Sequence, residues 1–326
     1  MLISVVIPTL NRPSLLLEAA KSIAGQDYTE WEAVVVDDGS TPPVDRAALK
    51  TVLGNRLTVV RHDRPRGIPE AKNAGLHAAS GEIATCLDDD DLLAESALSR
   101  IAASFKANKE LDCVFLNVKA FGRHAVAAER SQSQALAKLL ERVKTEQKDE
   151  LVFFRAGLFE ALLKSVPLAL QRPAARRGAW NIVGGYTSGL LFSEPDWAIR
   201  ASTVCRMALL KAPLSLWRCD DQNFASRPAM FGRAVENGVR SAELLSQWCN
   251  ASQERSRTRA RRVRRFLGDA YFGHAYHTFE AGGKLPWKSL GRSFLLSPQW
   301  RQISLALNWL LHRKRKVVSE VSAQAR

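Results

Sequence analysis

The sequence predicts an α/β fold: a Rossmann-like, mostly parallel sheet flanked by helices, followed by a basic helical C-terminal extension. Three observations carry it. Four short apolar runs, residues 3–7 (ISVVI), 31–36 (WEAVVV), 57–61 (LTVVR) and 82–87 (EIATCL), recur through the first third with helical spacing between them. Runs so short and so continuously apolar suit strands covered on both faces, the setting of a parallel sheet. Three of the runs then end in polar clusters, Pro8-Thr9, Asp37-Asp38 and residues 88–91 (DDDD). Finally, the charge is segregated. The 326 residues carry 47 Lys+Arg and 33 Asp+Glu, a net of +14; residues 251–326 hold 16 and 4 of these, a net of +12, leaving 31 and 29, or +2, for residues 1–250.

At roughly 150 residues per domain, the length suits two domains or one large α/β domain with an appendage. A hydrophobic fraction of 46% and a mean hydropathy of −0.16 exclude wholesale disorder. No apolar run approaches the ~20 residues that a bilayer span needs; residues 303–311 are interrupted by Asn308. The opening MLISVVIPTLNRP has no basic region or small-residue cleavage site, which argues against a secretory signal. Five cysteines, an odd number with no CxxC pair, favour reduced thiols in a cytosolic protein over a disulfide framework or a zinc site.

Taken in order, the strand at 3–7 leads into a helix at 14–23, with Leu16, Leu17, Ala20 and Ile23 able to share a face. The strand at 31–36 stops at the turn sequence DDGS, 57–61 is a third strand, 70–79 a helix and 82–87 a fourth strand. Residues 92–104 read as a helix that Asp91 could cap. The middle reads as a polar helix over 131–148, an apolar helix over 153–170 and a basic loop at 172–180 before Gly184-Gly185-Tyr186. A helix at 190–200 and a strand at 204–210 follow, and beyond about 240 the pattern is helical and basic. In parallel sheets ligands bind beyond the carboxyl ends of the strands, where the three polar clusters fall together.

Four adjacent carboxylates, Asp88, Asp89, Asp90 and Asp91, repel one another, and a strand end gains no stability by gathering them. A solvated acidic turn or a helix cap accounts for one or two of them. A hard divalent cation, Mn²⁺ or Mg²⁺, held by one or two carboxylates while phosphate oxygens fill other positions, accounts for the run and for its edge of the sheet.

VVIPTLNRP, VVVDDGS, GIPEAKNAGLHAASGEI and CLDDDDLL, in this order and spacing, resemble the family 2 glycosyltransferases of the GT-A fold across residues 3–105. A weaker likeness runs through Gly185-Tyr186, SEPDWAIRAS and LWRCDDQNFAS to about residue 226. The resemblance implies sugar transfer from a nucleotide-sugar, with a metal held at a DxD motif and inversion at the anomeric centre. It places Pro8, Thr9 and Asn11 against the nucleotide, and Asp38 as acceptor for a uracil N–H. Lys72, where the family often has Arg, would approach the nucleotide or its diphosphate; a surface lysine on a helix is an equal reading. Asp88 and Asp89 would lie along the donor, Asp88 on the ribose or a metal-bound water, and Asp90 would ligate the metal. The implied segments are a nucleotide-sugar-binding half at 1–121, an acceptor-binding half at 122–240 and a basic amphipathic helical region at 241–326.

An inverting transfer needs a base for the acceptor hydroxyl. In the family it is a carboxylate six residues before an arginine, which is Glu194 counted from Arg200, with Asp196 two residues later. The family usually has Asp there and Pro195 intervenes, so both are candidates, Glu194 preferred; an acidic helix start is the plain alternative. Where relatives carry a metal-site histidine, LWRCDDQN has Asp220, still an oxygen ligand, with Asp221 beside it. His274 and His277 read as packing or interface residues.

The tail interleaves basic runs, 255–265 (RSRTRARRVRR) and 313–316 (RKRK), with Trp287, Phe294, Leu295, Trp300 and Trp309. This suits an amphipathic segment on an anionic membrane surface; packing of its apolar face on the body ranks second, and no nucleic-acid motif is present. The expectation is a cytoplasmic glycosyltransferase at the inner face of the plasma membrane. It would use a nucleotide-sugar, UDP-linked in preference, and a saccharide or lipid-linked acceptor in lipopolysaccharide or capsule synthesis. The alternatives are a sugar-1-phosphate nucleotidyltransferase, which should carry a Gly-rich loop that IPTLNRP lacks, and a non-catalytic nucleotide-sugar-binding subunit held at the membrane.

Overall fold

The computed structural model describes residues 1–220, 230–251, 257–281 and 283–310. By contacts the chain divides into two compact units, Met1–Pro228 and Ala229–Arg326.

The first unit is built on one ten-stranded sheet. Its strands are β1 (Ile3–Thr9), β2 (Trp31–Asp37), β3 (Leu57–Arg61), β4 (Ile83–Cys86), β5 (Leu92–Leu93), β6 (Cys113–Phe121), β7 (Lys144–Lys148), β8 (Leu151–Ala156), β9 (Pro173–Arg176) and β10 (Met207–Arg218). The order is β3-β2-β1-β4-β9-β6-β10-β8-β7, with β5 paired to β10 off that path. The first four strands are parallel, as the apolar runs predict; β9 enters antiparallel between β4 and β6, so the second half is mixed. Helices α1 (Pro13–Ala24), α2 (Arg46–Leu53), α3 (Ile68–Ala78) and α4 (Ala97–Ala107) follow in the first half.

Helix α1 buries Leu15, Leu16, Ala19, Ala20 and Ile23, so the apolar face includes Leu15 and Ala19 and leaves Leu17 half-exposed. Together with Ile3, Val5, Ile7, Ala33 and Val35 it forms the main core. Each such aliphatic side chain contributes about 1.5–3 kcal/mol when taken out of water. Helix α3 lies unusually close to the sheet at Gly75: a Cβ there would sit 2.2 Å from Val6 Cγ1 and 3.0 Å from Val36 Cγ2. Lys72, one turn earlier on α3, thereby meets the carboxyl edge of the sheet.

The middle of the chain differs from its sequence pattern. Residues 131–148 are not one helix: α5 (Ala125–Leu140) ends before the edge strand β7, whose five residues are all exposed. An edge strand that buries neither face shows no apolar alternation, and its lysines oppose further pairing. Residues 153–170 are not helical throughout. Strand β8, the short α6 (Leu158–Leu162) and a 3₁₀ turn share that run, broken at Gly157 in the left-handed region (φ 84°). A continuous apolar run does not separate a buried strand from a buried helix. The basic loop expected at 172–180 is β9 followed by α7 (Arg177–Val183); Pro173 is tolerated as the first residue of its strand. Asp91 does not cap a helix over 92–104. Residues 92–93 pair with β10, and α4 begins only at Ala97. Helix α8 (Glu194–Ala201) starts four residues later than the helix expected at 190–200, and the strand expected at 204–210 is β10, which begins at Met207 and runs on to Arg218.

The sheet runs on past residue 121 without a break, and the contact division falls at 228/229 rather than at 240, because α9 (Met230–Ala251) belongs wholly to the second unit. That unit adds α10 (Arg257–Glu280), α11 (Trp287–Leu296) and a helical segment over 300–310. It has its own core of Ala275, Leu285, Leu290 and Leu305, joined by Phe272, Phe279 and Trp309. The tail's apolar residues therefore pack in part on one another, while Leu295 (74% exposed), Trp300 (72%), Trp287 and Phe294 stay in solvent. Residues 313–316, Arg255 and residues 221–226, Asp221 included, lie outside the described residues. All five cysteines are free thiols, and among the described residues no helix is long and apolar enough to cross a membrane.

Gly75→Ala is expected to lower stability by about 1–3 kcal/mol through overpacking, against the usual helix-propensity gain of ~1 kcal/mol. Urea unfolding monitored by circular dichroism measures the difference.

Candidate active site

The carboxyl ends of β1, β2 and β4 meet, as their polar clusters predict. Thr9 is in register with Asp37, and Pro8 with Val36. The Thr9 hydroxyl donates to Asp89 Oδ2 (2.7 Å), and its carbonyl accepts from the Asp38 N–H (2.9 Å). Asn11, at φ 57°, ties the turn after β1 to the turn after β2: its N–H donates to Ser40 Oγ (3.0 Å) and its Oδ1 accepts from the Thr41 N–H (2.8 Å). Burial would raise the Asp37 carboxyl, but hydrogen bonds from Ser40, Val44 and Arg61 outweigh it and hold that group below the usual range.

Asp38 is buried and accepts from His62 Nδ1 (2.7 Å), the Arg66 N–H (2.9 Å) and the Gly67 N–H (2.9 Å). Gly39 (φ 87°) lets residues 64–65 pass close by, since a Cβ there would lie 2.7 Å from the Arg64 carbonyl carbon. A carboxylate has about four lone-pair positions. The three contacts fix the Asp38 group and leave room for one more donor.

The four aspartates divide their work. Asp88 meets Lys72 Nζ (2.7 Å) and Arg172 (3.5 Å); Asp89 and Asp90 both meet Arg12 Nη1 (2.9 Å each); Asp91 accepts from Arg172 (2.9 Å) and from the Arg218 N–H (3.0 Å). Lys72 also forms an ion pair with Glu194, so one ammonium joins the aspartate run to α8. Lys72 is 2% exposed and is not a surface lysine. Burial alone would lower its pKa, but Asp88 and Glu194 outweigh burial and raise it. The Asp88 carboxyl resists burial because Lys72 and Arg172 hold it down, to about 2. Asp89 and Asp91 go the other way. Burial, reinforced by neighbouring carboxylates, overrides their arginine partners and lifts them to about 6 and about 7.

Glu194 and Asp196 separate as their spacing on α8 requires, since residues two apart on a helix face about 200° apart. Glu194 faces Lys72. Asp196 accepts from the Thr187 hydroxyl (2.5 Å) and Arg200 Nε (2.9 Å), and Arg200 in turn donates to the carbonyls of Val183 and Gly185. The Asp196–Arg200 pair thus holds the 183–187 loop, whose Tyr186 is bound on both backbone groups by Asn73 and sets its ring 5.5 Å from Lys72 Nζ. Asp220 lies one step from the run: it is 3.6 Å from Arg218 Nη1, and Arg218 Nε donates to the Asp90 carbonyl (2.8 Å).

Pattern reading misses Arg12, Arg172, Arg218, His62 and Asn73. The signal was the aspartate run itself, because four buried carboxylates demand counter-charges, and Arg12 stands beside Asn11 in the same strand-end motif. Among the described residues no three His, Cys, Asp or Glu side chains converge as a ready-made metal cage. The chemistry of the patch nonetheless fits a hard divalent ion. Asp88 to Asp91 and Glu194 gather five carboxylates, the oxygen donors such an ion takes, around Lys72, Arg12 and Arg172.

The glycosyl transferase family 2 model matches residues 4–166. The chain belongs to this family. A Campylobacter jejuni GalNAc(5)-diNAcBac-PP-undecaprenol beta-1,3-glucosyltransferase is 39% identical over 122 residues, 35% of this chain and 37% of that relative. This chain spans little more than a third of the length of the curated relatives it matches. Among solved structures, S. aureus TarS 1-349 in complex with UDP-GlcNAc superposes with a TM-score of 0.65 at 20% identity, covering 94% of this chain and 84% of that one. The Pyrobaculum calidifontis mannosyltransferase PcManGT with GDP-Man and Mn²⁺ gives 0.54 at 20% identity, covering 94% and 86%. These likenesses establish the GT-A fold of this family 2 chain.

A folded-state value of about 6 for Asp89, against about 3.9 in an unfolded chain, means that the fold binds the extra proton between those values. The Asp89 contribution to stability therefore falls as pH rises from about 4 to 6, and Asp91, at about 7, extends the decline to about pH 7. Melting temperatures of the metal-free protein from about pH 4 to 7 should show the decline, and Asp89→Asn should shrink it, leaving the share that belongs to Asp91.

Proposed function

We propose that this chain is a metal-dependent, inverting glycosyltransferase. It would take a sugar from a nucleotide-sugar, UDP-linked in preference, and pass it to a saccharide or lipid-linked acceptor in cell-surface polysaccharide synthesis. The observation that carries the reading is the Lys72 bridge, which sets Glu194 beside Asp88 at the carboxyl edge of the sheet. A carboxylate for the acceptor hydroxyl and a donor end rich in oxygen ligands then share one patch.

In this reading Asp38 takes a nucleobase N–H with its remaining lone pair, while Pro8, Thr9 and Asn11 form the wall against the nucleotide. Asp90 with Asp88, and Asp220 from the end of β10, would hold Mn²⁺ or Mg²⁺. When bound, the ion neutralises charge on the departing diphosphate. Asp89 holds Thr9 and Arg12 in place, and Lys72 would approach the diphosphate. Glu194 is the base. Asp196, committed to Thr187 and Arg200, is a positioning residue.

The UDP-GlcNAc complex of TarS and the undecaprenol in the Campylobacter relative's name support the donor and acceptor classes. The net +12 of residues 251–326, beside exposed Leu295 and Trp300, supports association with an anionic membrane surface. In this reading a lipid-linked acceptor would be met at the inner leaflet.

Asp90→Ala is expected to abolish transfer with the melting temperature nearly unchanged. Glu194→Gln should lose turnover while still binding UDP, whereas Asp196→Asn should lower thermal stability first. Transfer assays with calorimetric UDP titration separate these, and full turnover by Glu194→Gln would remove Glu194 as base. Proton NMR of the product reports the anomeric configuration. The full chain should float with anionic vesicles and not with neutral ones.

A further inference from the structure

Arg12 holds a position that the donor-site reading leaves unexplained. It occupies the N-cap position of α1, ahead of Pro13, and is anchored there by the turn that Asn11 ties to Ser40 and Thr41. One guanidinium nitrogen, Nη1, lies 2.9 Å from Asp89 Oδ1 and 2.9 Å from Asp90 Oδ2. Asp89 is fixed from its other oxygen by Thr9. Both carboxylates are buried, so neither can turn to water if Arg12 leaves.

From this geometry we infer that Arg12 is the resident counter-ion of the metal carboxylate, and that it must give up Asp90 before a divalent cation can be held there. The inference rests on the proposed metal-dependent reading. A guanidinium and a divalent ion cannot share one carboxylate oxygen at short range without strong mutual repulsion. A diphosphate resolves the conflict by offering Arg12 a second planar anion of higher charge, which guanidinium binds well. Arg12 thereby couples metal uptake to donor binding. Without nucleotide it keeps the buried aspartates neutralised and the metal affinity low; with nucleotide it swings from Asp90 to phosphate. Lys72 and Arg172 are engaged by Asp88, Asp91 and Glu194.

The test is Mn²⁺ binding by the full chain, read from the electron paramagnetic resonance signal of free Mn²⁺, with and without UDP. The wild type is expected to bind weakly alone and more tightly with UDP. Arg12→Gln should bind Mn²⁺ without UDP roughly tenfold more tightly than wild type, because one nearby positive charge is gone, and its gain on adding UDP should shrink. Arg12→Lys, which keeps the charge, should stay close to wild type. Arg12→Met replaces the glutamine variant if that protein melts below the assay temperature. Equal or weaker Mn²⁺ binding by the neutral variants in the absence of UDP overturns the role of Arg12 while leaving metal dependence standing. No Mn²⁺ binding by wild type even with UDP overturns the metal-dependent reading, and the coupling with it.

Discussion

The gathering of carboxylates at the carboxyl edge of the parallel strands is the constraint around which the first unit is organised. Asp88 to Asp91 cannot be buried side by side unless cations come to them, and those cations arrive from distant parts of the chain. Arg12 comes from the end of β1, Lys72 from α3 and Arg172 from the start of β9, and the Arg218 backbone N–H at the end of β10 adds a hydrogen bond to Asp91. Each pairing pins an element to the edge of the sheet. Lys72 goes further, since it spans 122 residues to reach Glu194 and draws α8 to the same place.

The patch is neutralised only in part. Where arginine or lysine pairing outweighs burial, as at Asp88, the carboxyl stays low; where it does not, as at Asp89 and Asp91, the values rise. A site held short of positive charge stores the attraction that a cationic ligand can use. Such a site costs stability in the empty protein and returns it on binding. The second unit solves a simpler problem. Its apolar residues make a small core among α10, α11 and the 300–310 segment, and the aromatic and aliphatic side chains left over stand in solvent among basic neighbours.

Much of the first third was legible because its signals are local. The run ISVVI is too short and too β-branched to be anything but a strand, and Asp38-Gly39-Ser40 ends the strand that precedes it. The middle was illegible for equally physical reasons. The edge strand KTEQK buries no side chain, so it has no pattern to show. Pro-Ala-Ala-Arg is a poor strand former that becomes β9 because it fills the gap between β4 and β6. Asp91 resembled a helix cap, a role that needs only its neighbours, and became instead a buried partner of Arg172, which lies 81 residues away.

The site divides along the same line. The types and order of the donor-side residues, Thr9, Asp38, Lys72 and the aspartate run, could be read directly, because each sits at the end of a strand or in the first turns of a helix whose direction the pattern sets. The choice between Glu194 and Asp196 could not. Two carboxylates two residues apart on one helix are equivalent until something packs against each face, and it is Lys72 on one side and Arg200 with Thr187 on the other that make them different. The same holds for Lys72, which as a letter in AKN is as good a surface residue as a buried one. Gly75 brings its helix close enough to the sheet to bury it, and a contact of that kind exists only once the chain is folded.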